Sequence, residues 1–452
     1  MSYTACNYED AFKAKDITSS AMKSAITEWY HLFYDSKPDK KGDPAQRIPY
    51  TIVSKLSKTM FSEYEATSAD PFISGCLDNL AHRQSLAAQR FISFGEAFIK
   101  PYPNGNTMEF SVIGRNGFLV FGRDAQGRPT DIGTAERTTQ GSKYYTLLER
   151  RTIGQDNRLT IKNMLYQSAD ESSIGSRVPL TALERYAALP DEYTFPEPIG
   201  LGLVYLRCPI QNPVDDSTDG VSVYAAATGL IRHINTNELQ FAGEFERGQS
   251  RIIVPDDMLR YMDGDGKFKR RLVDNVFTAV GDSDDWAGIT IFNPTLRTSE
   301  FLARENSILR KIENTIGLKR GLLSEVEAQE RTAKEITSSE GDYSLSIIEF
   351  QRVWEQAVKE LAVICGKLGR MYGLSGARDV KPDDVTVDWG NGILYDEDKA
   401  WTDYKDMVSR GLIKPEIAVG WRFNMPTETE ADLKAVREKY MPVLDTLMQG
   451  EE

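Results

Sequence analysis

Two long helical patterns separated by a short strand-rich segment constrain the fold of this chain most strongly. From Gly220 to Arg247, apolar residues recur three, four or seven positions apart, which predicts a helix of about 25 residues. A long buried core helix would explain this pattern equally well. A second helix is predicted from Ser299, a candidate N-cap, to Gly317, which can close it. Because an inserted unit has neighbouring ends, we expect the two helices to run antiparallel as a stalk, with the inserted segment at its tip.

The inserted segment, Gly248–Asn293, is predicted to be a compact αβ unit with strands at Ser250–Pro255 and Gly288–Phe292. Basic residues concentrate on this unit and along the second helix. On the unit they are Lys267, Lys269, Arg270 and Arg271, and along and after the helix they are Arg304, Arg310, Lys311, Lys319 and Arg320. Such clusters usually form a solvated face, yet one cation per subunit repeated around a ring would form a belt of positive charge.

Beyond the second helix the chain is charged and has no apolar stripe as far as Asp342. This segment ends in Thr337, Ser338, Ser339, Glu340, Gly341 and Asp342, whose composition predicts a loop. From Ile347 to Leu368, apolar residues alternate in steps of three and four, and we place a long helix at Tyr343–Met371. The seam suits a helix packed along another helix, and a long core helix of a globular domain would also show it.

The N-terminal part is predicted to be a helical layer followed by a sheet. Apolar stripes beginning at Ser20, Ile48 and Phe72 predict three amphipathic helices. Short strand patterns from Phe94 to about Gln167 predict an antiparallel meander with one solvated face. The C-terminal part is predicted to hold a strand at Val385–Trp389 and helices near Asp396–Arg410, Lys414–Val419 and Thr427–Leu447. The fold class is therefore α+β.

The charge balance limits the kinds of partner. The 452 residues include 54 Lys and Arg against 67 Asp and Glu, a formal net charge of −13. This sign is opposite to that of a protein that grips phosphates strongly, so strong sequence-independent binding of nucleic acid is disfavoured. Contact through local basic spots fits this charge, and so does a protein past which a polyanion slides without being held.

Cysteine usage and apolar runs bear on the compartment. The four cysteines lie far apart without a C-x-x-C pair, which favours a reducing compartment and no disulfides. The first residues do not show the pattern of a secretory signal. No run approaches the roughly 18 to 20 consecutive apolar residues that span a bilayer, so we expect no membrane partner.

The motifs of common catalytic sites are missing from the sequence. There is no P-loop, no complete dinucleotide fingerprint and no Gly-x-Ser-x-Gly elbow. Asp263-Gly264-Asp265-Gly266 resembles the start of a calcium loop, but Lys267 occupies the next ligand position, so a β-turn is favoured. A carboxylate dyad stays open, because a dyad is defined in space and not in sequence. We therefore expect no enzyme, no cofactor and no bound metal.

Four short motifs and their order resemble one family. They are Arg47-Ile48-Pro49 before the helix that ends in Met60-Phe61-Ser62-Glu63, Tyr145-Thr146-Leu147-Leu148-Glu149-Arg150 in the meander, Gly220-Val221-Ser222 at the first long helix, and Arg331-Thr332-Ala333-Lys334-Glu335-Ile336 before the last. With the succession of elements, they resemble the portal proteins of tailed bacteriophages, in particular those of siphophages of Gram-positive hosts. The resemblance covers nearly the whole chain.

The resemblance implies a division into wing, stem, clip and crown. The implied segments are a wing at 1–219, stem helices at 220–247 and 294–317, a clip at 248–293, a tunnel loop with a long wing helix at 318–379, and a crown at 380–452. It also implies that residues 337–342 form the loop that approaches DNA. The basic residues named above would then lie on the stem and the clip.

The family implies a ring of twelve subunits at one capsid vertex, through which DNA is packaged and later ejected. The implied partners are double-stranded DNA in the lumen, the terminase large subunit and head-completion or adaptor proteins at the clip, and the major capsid and scaffolding proteins around the wing. The ring would assemble in the host cytoplasm and remain in the virion. An acidic chain suits this role, because strong phosphate contacts would stall translocation.

One departure from the family pattern concerns the tunnel loop, which carries Glu340 and Asp342 and no lysine after Lys334. We therefore expect steric or electrostatic guiding of DNA by this loop and no direct grip. Two alternatives stay open at the level of sequence. One is another neck or structural protein of the virion without a channel, and the other is a hydrolase built on a carboxylate dyad. An open lumen would separate the first from a portal, and a deep pocket with perturbed carboxylates would favour the second.

Overall fold

The computed structural model describes most of the chain. The described residues are 8–34, 44, 46–249, 251–254, 260–262, 268–270, 277–279, 290–325, 333–390, 397–423 and 425–441. They form two compact units, the first made of residues up to Met60 together with Ala66–Val387, and the second of Phe61–Glu65 together with the residues from Asp388 onward.

The first unit opens with helices, as the apolar stripes predict. They are α1 (Tyr8–Phe12), α2 (Ser20–Tyr34), α3 (Ile48–Met60) and, after the short strand β1 (Glu65–Ser68), α4 (Pro71–Phe94). Asp70 caps α4 by accepting the backbone N–H groups of Phe72 and Ile73 at 3.0 and 3.1 Å. Trp29 of α2 and Phe91 of α4 are almost fully buried, so these helices form one layer of the core.

Two antiparallel sheets follow the helical layer. The first has the strand order β10-β2-β3 and the second has β4-β5-β6-β7-β8, with β9 also paired to β7. The strands are β2 (Glu96–Asn104), β3 (Thr107–Gly114), β4 (Phe118–Arg123), β5 (Pro129–Gln140), β6 (Lys143–Ile153), β7 (Leu159–Ser168), β8 (Ser176–Val178), β9 (Glu192–Thr194) and β10 (Val204–Arg207). The predicted antiparallel meander is confirmed.

The expectation of one solvated sheet face is wrong for the centre of the meander. Leu147 and Leu165 pack with Leu180, Leu183 and other side chains of the 3-10 turns after β8. On the opposite face, Leu148 packs against Phe12 of α1 and its neighbours. Residues far apart in the sequence thus cover both faces, which a local alternation pattern cannot show.

The stalk is formed by α5 (Thr228–Arg247) and α6 (Thr298–Ile316). Helix α5 begins eight residues later than predicted, because Gly220 and the buried residues after it lead into a 3-10 turn at Ala225–Ala227. Helix α6 begins at Thr298, so Ser299 is not its N-cap. The Ser299 hydroxyl donates to the Glu300 carboxylate instead. Gly317 closes α6 in the left-handed conformation at φ 75°, as predicted.

The predicted antiparallel course of the two helices is confirmed by their contacts. Arg297 near the start of α6 binds the carboxylate of Glu244 near the end of α5 through bonds of 3.0 and 2.8 Å. One turn along, the rings of Phe241 and Phe301 stack at 5.3 Å. A step backward along α5 is thus matched by a step forward along α6.

Between these helices the described residues form five short strands. They are β11 (Arg251–Val254), β12 (Arg260–Met262), β13 (Phe268–Arg270), β14 (Phe277–Ala279) and β15 (Thr290–Phe292). Strand β11 pairs with β14 in parallel and with β15 antiparallel, and β12 pairs with β13. The two strands predicted for the inserted segment are confirmed as β11 and β15.

The long helix α7 spans Ala333–Met371, so residues 337–342 lie within it and the predicted loop is wrong as secondary structure. A single glycine such as Gly341 costs a helix interior only about 1 kcal/mol, and helix extension is cooperative. The apolar seam from Ile347 onward anchors α7 in the core, with Trp354 fully buried. The helical turns before the seam can therefore continue from it despite their composition.

The described residues of the second unit form three helices, α8 (Glu397–Ser409), α9 (Pro415–Arg422) and α10 (Glu430–Tyr440), close to the predicted positions. Arg437 of α10 donates to the Glu416 carboxylate of α9 at 2.6 Å. The rings of Tyr404 and Trp421 stack at 4.8 Å. The predicted strand before these helices is β16 (Val385–Asp388), which pairs with β1.

A buried carboxylate joins the sheets of the first unit to the segment that leads into the stalk. Glu96 at the start of β2 is fully buried and pairs with Arg115 at 3.0 Å and with Arg123 at 2.8 Å. It also accepts the Tyr205 hydroxyl of β10 at 2.5 Å and the Gly220 backbone N–H at 2.9 Å. Burial alone would raise the pKa of Glu96, but the two guanidinium groups outweigh it and lower that pKa.

The same network reaches the helical layer and the residue before Gly220. Arg115 donates to the Thr18 hydroxyl at 2.7 Å, and Arg123 pairs with Asp219 at 2.6 Å. Beside them the chain passes so closely that a Cβ on Gly95 would overlap the backbone of Gly220. We call Gly95, Glu96, Arg115, Arg123 and Gly220 the junction.

We predict that Gly95→Ala destabilises the protein far more than Gly105→Ala. Both glycines have positive φ, but Gly95 also faces the Gly220 backbone, whereas a Cβ on Gly105 meets open space. We expect a loss of about 1 kcal/mol for Gly105→Ala from backbone strain and about 3 kcal/mol or more for Gly95→Ala from strain and overlap. Urea unfolding of both variants checks this, and equal losses would show that the close approach does not matter.

Candidate functional site

The segment after α6 folds back along that helix and is fixed by a buried carboxylate. Glu313 is fully buried near the end of α6. It accepts backbone N–H groups of Gly321 at 3.1 Å, Leu323 at 2.6 Å and Ser324 at 2.9 Å, and also the Ser324 hydroxyl at 2.7 Å. We call residues 318–325 the return loop, which Glu313 holds in one conformation.

Further contacts fix the end of the return loop. Asn306 of α6 exchanges two bonds with the Glu325 backbone, accepting its N–H at 2.8 Å and donating to its carbonyl at 3.1 Å. The guanidinium of Arg310 donates to the same carbonyl at 3.3 Å. Lys55 of α3 donates to the Leu322 carbonyl, which ties the loop to the helical layer.

The structure places the basic residues predicted for the stem in two different surroundings, the exposed surface of α6 and the return loop. Arg304 and Lys311 are exposed and lie seven residues apart, so they share one face of α6 and are separated by about 10 Å along its axis. Arg310 is half-buried and points to the return loop, while Lys319 and Arg320 lie on that loop. The structure therefore brings only Arg304 and Lys311 together on the open face of this helix.

Acidic groups accompany these cations. Arg304 donates to the Gln240 side chain of α5 at 3.1 Å. Burial and the carboxylates of Glu238 and Glu325 raise the pKa of Glu305, because crowding of like charges disfavours the ionised form. The Arg297 guanidinium lowers the pKa of Glu244 by its hydrogen bonds. The stalk thus carries both cations and carboxylates on its surface.

The structure describes only some of the other predicted site residues. Lys269 and Arg270 belong to β13, where they pair with Tyr261 and Arg260 of β12. Lys267 and Arg271 lie outside the described residues. The six residues 337–342 are helical in backbone, and their predicted contact with DNA stays a prediction.

Sequence reasoning missed Glu313 and Asn306, which position the return loop. The apolar pattern of α6 did contain an indication that Glu313 is buried. Glu313 follows Leu309 by four residues and precedes Ile316 by three, so a carboxylate occupies the apolar face of an amphipathic helix. Such a residue is buried and needs donors, which here come from the loop that follows. Asn306 gave no signal, since its partner is backbone.

Within the described ranges, no helix combines the length and the apolar character needed to cross a membrane. In the same part of the chain, no cluster of three or more His, Cys, Asp or Glu side chains is placed to hold a metal ion.

Comparison with known proteins places the chain in a family. The model of the phage portal protein family, SPP1 Gp6-like, matches residues 78–439, which is most of the chain. The chain belongs to this family and is a portal protein, located at the capsid vertex of the virion. The predicted family is confirmed, while the subgroup from siphophages of Gram-positive hosts stays a prediction.

Solved structures with a similar course of the chain are particles of a gene transfer agent, GTA. The neck of a native GTA particle computed with C12 symmetry is 12% identical, with a TM-score of 0.44 over 91% of this chain and 96% of that one. The neck of an empty GTA particle computed with C6 symmetry is 12% identical, with a TM-score of 0.47 over 92% and 97%. Among curated proteins, none matches this sequence. We assign the family from the sequence match alone.

We predict that Glu313→Gln loosens the return loop. An amide in place of the carboxylate offers one acceptor oxygen and directs an NH₂ group at donors. Hydrogen bonds to a charged acceptor contribute about 1.5 to 3 kcal/mol, so the amides of Gly321, Leu323 and Ser324 should exchange with solvent at least about tenfold faster. Hydrogen exchange read by mass spectrometry checks this.

The matched control is Glu300→Gln in the first turn of α6, where the carboxylate is exposed and accepts the neighbouring Ser299 hydroxyl at 3.0 Å. Exchange in the return loop should not change in this variant. If the loop amides of Glu313→Gln exchange at the wild-type rate, Glu313 does not fix the loop.

Proposed function

We propose that this portal protein forms a ring of twelve subunits whose channel is lined by the exposed face of α6, and that double-stranded DNA passes through it during packaging and ejection. The observation that carries the proposal is the position of Arg304 and Lys311 on the open face of one helix of an antiparallel pair. Family membership supports the ring and the passage of DNA, and this face supplies a candidate lining.

The charges of α6 suit a surface along which DNA passes without being bound tightly. In a ring, Arg304 and Lys311 would form two belts about 10 Å apart along the helix axis. Phosphates of DNA would meet positive charge at two levels, but Glu305 and Glu238 beside them weaken the attraction. Since binding of DNA strengthens with each phosphate neutralised, a sparse set of cations keeps the affinity low and lets the duplex slide.

The return loop gives the channel a fixed wall on the wing side. Glu313 holds this loop by bonds from three backbone N–H groups and from the Ser324 hydroxyl, so Lys319 and Arg320 are carried on a rigid loop that starts at the end of α6. We propose that these cations form the next contact for DNA beyond Lys311. The first turns of α7, with Glu340 and Asp342, would then guide the duplex by repulsion.

The remaining partners follow from the family. We propose that the strand-rich segment between α5 and α6 is the clip, where the terminase large subunit binds during packaging and head-completion or adaptor proteins bind afterwards. The helical layer and sheets would form the wing that meets the major capsid and scaffolding proteins, and residues 380–452 would form the crown. We expect no enzymatic activity of the chain itself, because packaging is driven by a separate ATPase.

We predict that Lys311→Glu lowers the amount of DNA packaged several-fold while rings still assemble. Reversing this charge places a belt of carboxylates where phosphates pass, and the repulsion slows entry. Packaging of DNA into empty capsids that carry the variant portal, with terminase and ATP supplied, measures the effect. Raising the salt should narrow the difference, because screening shortens the range of the repulsion to about 10 Å at 0.1 M.

Lys58→Glu serves as the matched control, because Lys58 is an exposed lysine on α3, outside the stalk. It should package like the wild type. Arg310→Glu is informative in another way, since Arg310 holds the Glu325 carbonyl and its loss should disturb the return loop. Intact rings of Lys311→Glu that package DNA at the wild-type rate would overturn the assignment of this face to the channel.

A further inference from the structure

A small polar cavity lies between the turn that joins β4 to β5, strand β10 and helix α7. Its volume is about 170 Å³. The turn contributes Arg128 to its wall, and β10 contributes Arg207. Helix α7 contributes Gln356 and Glu360, which lie four residues apart and so share one face of the helix. The cavity thus brings together side chains from three segments that are distant in sequence.

Arg207 has no acceptor for its charged guanidinium group. Its side chain is half-buried, and its Nε is buried without a hydrogen-bond partner. The Nε atoms of Arg115, Arg123 and Arg310 are also unpaired, but each of these arginines binds an oxygen through a terminal nitrogen. Among the described residues, none forms a hydrogen bond or an ion pair with Arg207. Because a buried N–H without an acceptor costs free energy, an anion that supplies the acceptor is favoured here.

The cavity carries one more cation than carboxylate. Arg128 donates to Glu360 at 2.9 Å through one terminal nitrogen, Nη2, so this carboxylate balances one of the two guanidinium groups. The charge of Arg207 stays uncompensated. The amides of Gln126 and Gln356 also line the cavity, and each has two N–H groups to donate. Both of these glutamines are exposed, so the cavity opens to solvent on their side.

We propose that this cavity binds one small tetrahedral oxyanion, a free phosphate ion, between Arg207 and Arg128. A guanidinium group presents its N–H groups in a rigid fork that matches two oxygens of a phosphate. The four oxygens of the ion can accept from both guanidinium groups and from the amides at the same time. A volume of about 170 Å³ is several times what one water molecule needs, so it admits a phosphate ion, and it is far too small for a DNA duplex.

The bound ion would fasten α7 to the junction. The turn that carries Arg128 is held by the junction, since Arg123 donates to the Gly127 carbonyl at 2.8 Å. An ion that accepts from Arg128, Arg207 and Gln356 would therefore link the junction, β10 and α7. The proposal goes beyond the passage of DNA and does not depend on it.

The test titrates inorganic phosphate into the purified full-length protein at constant ionic strength and measures the heat of binding and the Tm. We expect saturable binding at one site per chain and a Tm that rises with phosphate, because the ion binds the folded state. In Arg207→Gln the affinity should fall at least about tenfold, since a charge-assisted hydrogen bond is lost. The matched control is Arg83→Gln, an exposed arginine of α4 that does not line the cavity, which should bind phosphate like the wild type.

Phosphate also stabilises proteins in general, because it is excluded from their surfaces. This contribution does not saturate and is the same in the three proteins, so the difference between them measures the site. Equal affinity in the wild type and Arg207→Gln, or no saturable binding to the wild type, would overturn the proposal.

Stability without phosphate separates a binding residue from a structural one. Because Arg207 has no partner in the fold, Arg207→Gln in phosphate-free buffer should unfold at the wild-type Tm or above it. A Tm clearly below that of the wild type would show that Arg207 holds the fold together, and would overturn its assignment to a ligand.

A short DNA duplex at the same concentration of phosphate groups distinguishes a free ion from the backbone of DNA. The duplex should not compete with inorganic phosphate at this site. Competition that is lost in Arg207→Gln would show that the site contacts DNA, and would overturn the assignment to a free ion.

Discussion

The fold depends on one buried carboxylate, Glu96. A buried charge is tolerated only when donors and opposite charges surround it, and here these come from the turn after β3, from β4, from β10 and from the backbone of Gly220. Removing one partner of such a group typically costs about 3 to 5 kcal/mol, because the remaining charge is left uncompensated. The segment that leads into α5 is therefore fixed to the sheets at Gly220, and the Arg123–Asp219 pair beside it adds a second attachment.

A second carboxylate, Glu313, does at the end of α6 what Glu96 does before the start of α5, and because the two helices run antiparallel, both act at the same end of the stalk. It accepts backbone N–H groups of the return loop and so fixes the conformation of the loop that carries Lys319 and Arg320. Arg310 belongs to this structural set, whereas Arg304 and Lys311 remain on the open face of α6. A channel protein needs this separation, since charges that hold the fold together are not available to a passing polyanion. Family membership shows a portal protein, and the exposed cations of α6 support the proposal that DNA passes along this face.

Periodic patterns predicted most helices and the longer strands of the meander, because each depends on neighbours within one turn or one strand. The antiparallel stalk was predicted because an inserted unit has neighbouring ends. The late start of α5 was not predicted, because the residues before it are fixed by distant partners that a local pattern cannot show. One of these partners is the Glu96 side chain, 124 residues before Gly220. The helical backbone of residues 337–342 was missed for a related reason: its composition favours a loop, but the anchored seam beyond Ile347 extends the helix. The sequence predicted the basic residues of the stem. It did not predict that Arg310 binds the return loop while Lys311 is exposed, because neighbours in sequence face different surroundings on a helix.

Electron cryomicroscopy of the purified full-length protein tests the central claim most directly. The account predicts rings with an open centre, in which the face of α6 that carries Arg304 and Lys311 borders the lumen and the return loop continues its wall. A ring whose lumen is lined by another surface, with Lys311 buried between subunits or on the outside, would contradict it.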